Sequence, residues 1–66
     1  MGDIAELLKK HLGQWGNVYV KGSFANAVGG KVTHVAEQYV ELEQEEGLIA
    51  YILLDRIIYL TFPKQT

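Results

Sequence analysis

The chain has 66 residues, 48% of them hydrophobic and 21% charged, with one Pro and no Cys. That length holds one small domain with one core, and the composition excludes a disordered tail, a disulfide framework and a cysteine-based zinc site. A net charge of −2 argues against coating nucleic acid by bulk electrostatics, and no apolar run reaches the roughly 18–20 residues of a membrane span.

Asp3 and Glu6 form a variant of the capping box that starts a helix over residues 4–12. Ile4, Leu7, Leu8, His11 and Leu12 fall at helical spacing and predict one apolar stripe. Lys9 and Lys10 suit the negative end of the helix dipole, and Gly13 is a natural cap beyond it. Trp15, between Gly13 and Gly16, is expected to fold over the end of the domain and close the core beneath the helix.

Residues 17–21 alternate, with Val18 and Val20 on one face and Tyr19 and Lys21 on the other, as a first strand does. Residues 22–30 are small and turn-prone, and Gly29 and Gly30 permit a sharp bend at the second strand, 31–35. A third strand is predicted at 39–43. It ends in the polar tip Gln44-Glu45-Glu46-Gly47, where Gly47 can supply a positive φ.

Residues 48–54 form an unbroken apolar run, too continuous for a strand with one face in water. Asp55-Arg56 interrupts it, residues 57–62 resume it, and Pro63 ends it. Long apolar edge strands invite pairing with another copy, and a core this small supplies only about 3–5 kcal/mol by itself. Leu48, Ile49, Tyr51, Ile52, Ile57, Ile58, Tyr59 and Leu60 are the expected oligomer interface.

An N-terminal helix and five strands with a two-residue break before the last describe a mainly β domain, a strongly bent SH3-like barrel over about residues 17–62. At this level the chain resembles the Sm-like (Sm, LSm and Hfq-type) family. Residues 30–42, from Gly30-Lys31-Val32 to Val40-Glu41-Leu42, resemble its first signature, and Leu54-Asp55-Arg56-Ile57-Ile58-Tyr59-Leu60 its second. Ala36-Glu37 and Val40-Glu41 stand where the family carries Asp and Asn, and no Gly accompanies Asp55-Arg56. The resemblance implies a single Sm-like domain over residues 1–66, assembled into a closed ring of roughly five to seven copies. It also implies binding of short single-stranded RNA by loops facing the pore, with His34, Gln38, Tyr39, Asp55 and Arg56 as the candidates by position. PRC-like and other SH3-like adaptor barrels share the pattern, so a barrel that binds a protein partner without nucleic acid is the alternative.

Each candidate has a plainer role as well. Tyr39 can be a half-buried strand aromatic, His34 a surface strand residue, and Asp55 and Arg56 a turn cap or local pair. Lys9, Lys10 and His11 can supply a basic rim or simply satisfy the helix dipole, and Glu41, Glu43, Glu45 and Glu46 read as a solvated acidic hairpin. Ser23 lacks the glycines of a nucleophile elbow, and Gly29-Gly30-Lys31 lacks the spacing of a phosphate loop. Neither catalysis nor a cofactor nor a metal is expected. Without a basic-then-apolar leader at the N-terminus, a cytoplasmic protein is expected.

Overall fold

The computed structural model describes residues 3–22 and 27–64, and in it one short helix precedes a five-stranded antiparallel sheet. The helix α1 is Asp3–Lys10, and the strands are β1 (Trp15–Val20), β2 (Val28–Val35), β3 (Tyr39–Glu43), β4 (Ile49–Leu53) and β5 (Ile57–Thr61). Two 3-10 turns, Glu45–Gly47 and Leu54–Arg56, join β3 to β4 and β4 to β5. Ser23 and Phe24, and the side chain of Asp3, lie outside the described residues.

The third strand falls where the alternation placed it, whereas β1 and β2 begin earlier than predicted, at Trp15 and Val28. Gly29 and Gly30 thus lie inside β2 instead of opening it. Gly30 is buried, and a Cβ there would stand 2.9 Å from the Leu42 Cβ and 3.1 Å from the Glu43 carbonyl oxygen. The close approach of β3 requires the glycine. Register shifts between Val32 and His34 against β3, and between Tyr19 and Val20 against β5, add local bends.

The strand order is β4-β3-β2-β1-β5, so the last two strands, neighbours in sequence, are the two edges of the sheet. Flat, those edges would lie about 19 Å apart, four strand spacings. The chain from Leu53 to Ile57 passes through a single 3-10 turn, which rises only about 2 Å per residue. The sheet must therefore curl strongly to bring the two edges together at that turn. It does not close: among the described residues no pairing joins β4 to β5.

Leu8, Val18, Val32, Val40, Leu42, Ile52 and Ile57 form the buried core inside the curl, with Ile4, Val20, Leu60 and Phe62 among the half-buried residues against it. Alternation in β3 explains the selection, since Val40 and Leu42 are buried while Tyr39, Glu41 and Glu43 are only partly so.

The helix differs from its expected form in two respects. It ends at Lys10, because His11 and Leu12 donate three residues back, to the Leu8 and Lys9 carbonyl oxygens, in a tightened last turn. Gly13 then takes φ 83° and its N–H donates to Val32 O at 2.7 Å, which fastens the helix end to β2. The apolar stripe is also narrower than predicted: Leu8 is buried and Ile4 half-buried, while Leu7 and Leu12 are exposed. With eight residues on a sheet of short strands, only one line of side chains reaches the core.

Trp15 does not close the core beneath the helix. It opens β1 opposite Lys31 and stays 45% exposed. Phe62 takes that place, its ring stacked on His11 with centroids 4.1 Å apart and planes 3° from parallel. Gly16, with no side chain, makes room for the Phe62 ring. His11 Nδ1 is also hydrogen-bonded with Gln14 Oε1 at 2.9 Å. No helix among the described residues is long and apolar enough to cross a membrane.

Candidate functional site

Three regions hold the residues singled out by sequence. The first is the cleft between the β2–β3 connection and the β4–β5 turn. Ala36 N–H donates to Tyr39 O at 2.8 Å and closes the connection, and Leu54 N–H donates to Gln38 O at 2.9 Å and ties it to the turn. Glu37, Gln38, Leu53, Leu54 and Asp55 line a cleft of about 390 Å³. Gln38 and Asp55 thus line one cleft, beside a second carboxylate, Glu37, so the lining is anionic.

The second is a row of rings on the outer surface of β2, β3 and β4. His34 and Tyr39 lie with ring centroids 6.3 Å apart and tilted by 56°, and Tyr39 meets Tyr51 edge-on at 5.8 Å. The register explains the second contact: Tyr39 pairs with Leu53 and Glu41 with Tyr51, so the two tyrosines are diagonal neighbours on one face. His34 pairs across to Glu41, whose backbone and side-chain oxygens both lie 3.1 Å from Thr33 Oγ1.

The third is the open seam of the sheet. Arg56 does not join Asp55 in the first cleft; it lines a separate one of about 280 Å³ with Val20, Lys21, Val28, Tyr51, Ile52 and Leu53. Lys21 N–H donates to Arg56 O at 2.9 Å and holds the end of β1 against the turn. The sequence pattern gives Lys21 no role here and places Tyr51 in the expected interface alone. The signal for Tyr51 was its parity with Tyr39 on paired strands, but for Lys21 no local signal existed, because its neighbours in the seam come from β2 and β4.

The interface candidates divide by side. Leu48, Ile49, Tyr51, Ile58 and Tyr59 are exposed, Tyr51 by 64% and Ile58 by 57%. Ile52 and Ile57 are core residues and Leu60 is half-buried against them, so a neighbouring chain would meet their backbone rather than their side chains. Tyr59 stacks on Tyr19, directly opposite in β1, with centroids 4.2 Å apart. Among the described residues no polar side chain is buried, and no three His, Asp or Glu gather into a metal-binding group.

No family model, curated protein or solved structure matches the chain.

Proposed function

We propose that the chain is a self-assembling β module of the Sm-like, SH3-type barrel class, in which β4 of one copy pairs with β5 of the next. The observation that carries this reading is the character of the two edge strands. Soluble proteins ordinarily guard sheet edges with Lys, Pro, bulges or a covering element. Here the edges read Ile-Ala-Tyr-Ile-Leu and Ile-Ile-Tyr-Leu-Thr, without a charge or a proline, and Ile49, Tyr51, Leu53, Ile58 and Tyr59 are exposed beside them. Each copy carries one edge of each kind, so pairing is head to tail and repeats until rotation closes it. A head-to-tail contact closes into a ring when its rotation returns to the start, and the resemblance to the Sm-like family implies a ring of roughly five to seven copies.

Native mass spectrometry at physiological ionic strength tests the assembly. A single closed species of roughly five to seven identical chains is expected. A monomer that persists at high protein concentration refutes it.

A second reading gives the ring a cargo, short single-stranded RNA, and the row of His34, Tyr39 and Tyr51 beside Arg56 and Lys21 favours it. Exposed rings stack on bases and nearby cations meet the backbone, and Gln38 and Asp55 supply polar groups for base edges. Titration of labelled oligo-U and oligo-A into the intact assembly is expected to give saturable, salt-sensitive binding. No binding of either leaves the protein-partner barrel, in which a peptide strand adds to an exposed edge.

A further inference from the structure

One surface lies outside both readings. Trp15, Gly29, Gln44, Glu45, Glu46 and Leu48 line a cleft of about 460 Å³ between the start of β1 and the β3–β4 tip. The sheet register builds its first wall. Trp15 pairs with Lys31 and Asn17 with Gly29, so Trp15 and Gly29 are diagonal neighbours on the outer face of β1 and β2. The indole uses the room that Gly29 leaves, since a Cβ there would stand 3.8 Å from Trp15 Nε1.

The β3–β4 tip is the second wall. Gln44 N–H donates to Leu48 O at 2.7 Å and Gln44 Nε2 donates to Gly29 O at 3.1 Å, which holds the tip against β2. Glu45 and Glu46 stand exposed on it, Glu46 at φ 64°, a conformation that suits glycine or asparagine better. Leu48 is exposed beside them. Among the described residues neither glutamate joins an ion pair, and Lys31, opposite Trp15, is held instead by Glu43 at 3.6 Å. The cleft thus sets an aromatic ring and an aliphatic surface against two carboxylates that have no cation of their own.

We propose that this cleft binds an arginine side chain from a basic segment of a partner protein. Each chemistry in the walls answers one part of that side chain. The guanidinium plane stacks on the Trp15 indole, its N–H fork donates to the Glu45 or Glu46 carboxylate, and its methylene stem covers Leu48. The two carboxylates repel an anionic partner, and a wholly apolar one would strip them of water with nothing in exchange. A volume inside the range of roughly 300–1,000 Å³ typical of ligand clefts leaves room for the residues flanking the arginine. Of the expected oligomer interface the cleft uses Leu48 alone, and of the RNA candidates none, so the inference does not rest on either reading.

Trp15 is the only tryptophan of the chain, so its fluorescence reports on the cleft directly. Titration of the full chain with a capped tri-arginine peptide at about 50 mM salt is expected to shift Trp15 emission saturably, with affinity at least about fivefold weaker at about 500 mM salt. The same peptide with citrulline for arginine keeps the shape, loses the charge and should not bind. Glu45→Gln/Glu46→Gln should weaken tri-arginine binding at least about tenfold, and because both side chains are exposed, unchanged circular dichroism verifies the fold. Glu6→Gln, which removes a carboxylate that does not line the cleft, should leave affinity within about twofold. Trp15→Ala, followed by isothermal titration calorimetry, should weaken binding at least about fivefold. Trp15 emission that does not respond to tri-arginine, a citrulline peptide that binds equally well, or a double glutamine variant that binds as tightly as the wild-type chain overturns the proposal.

Discussion

Among the described side chains of α1, Leu8 is the one fully buried, at 0% exposure, while its neighbour Leu7 is 44% exposed. Replacing Leu8 by Ala removes three carbons from the core. At about 0.8 kcal/mol for each buried methylene that is about 2.4 kcal/mol of transfer free energy, and the cavity left behind raises the loss into the range of about 2.7–5 kcal/mol. A chain of this size has only about 3–5 kcal/mol to lose, so Leu8→Ala should leave the domain largely unfolded at 37 °C. Leu7→Ala removes the same atoms from a half-solvated site and should cost less than about 1 kcal/mol. Urea denaturation followed by Trp15 fluorescence and far-UV circular dichroism, at one fixed protein concentration, separates the two, since any assembly adds a concentration-dependent term. Equal losses for Leu7 and Leu8 would refute the single-line packing of the helix on the sheet.

Gly30→Ala places a methyl 2.9 Å from the Leu42 Cβ and should cost about 1–3 kcal/mol by overpacking, seen as a lower urea midpoint with an unchanged slope. Ile58→Lys alters an exposed position of β5, so it should dissociate the assembly in native mass spectrometry while circular dichroism of the chain is retained; an undissociated variant counts against pairing through β5. Arg56→Ala should weaken oligo-U binding about tenfold in fluorescence anisotropy with the oligomer intact, and unaltered affinity contradicts a cargo site at the seam.

Much of the fold was legible because it is written in local signals. Alternation located β3 at Tyr39–Glu43, the Gly47 turn appears with φ 79°, and the Asp55-Arg56 break appears as the turn before β5. The failures share a cause. Whether Leu7 and Leu12 or only Leu8 reach the core depends on how wide a surface the sheet offers the helix, and whether Trp15 or Phe62 closes the core depends on β5, more than forty residues downstream of Gly16. Neither quantity exists within a short window of sequence. The same holds for the site residues: parity predicts that Tyr39 and Tyr51 share a face, but Arg56 and Asp55 line different clefts at a turn that joins the two edges of the sheet, and the strand order that makes β4 and β5 those edges is not a local signal.

That curl also accounts for where the apolar surface is left. Among the described residues the curled sheet and its helix bury seven hydrophobic side chains, and β4 and β5 each contribute one of them, Ile52 and Ile57. Period-two alternation turns Ile49, Tyr51 and Leu53 of β4 outward, while in β5 the register shift leaves Ile58 and Tyr59 exposed and Leu60 half-buried against the core. A monomer would normally place charged residues there. The apolar run over residues 48–54 therefore makes sense when its outer face also has a partner, whereas the polar outer face of β3, with Glu41 and Glu43, suits solvent and its local partners Thr33 and Lys31. The contrast between neighbouring strands of one sheet supports the proposed assembly through β4 better than total hydrophobicity does, since both strands are equally short and contribute to the same core.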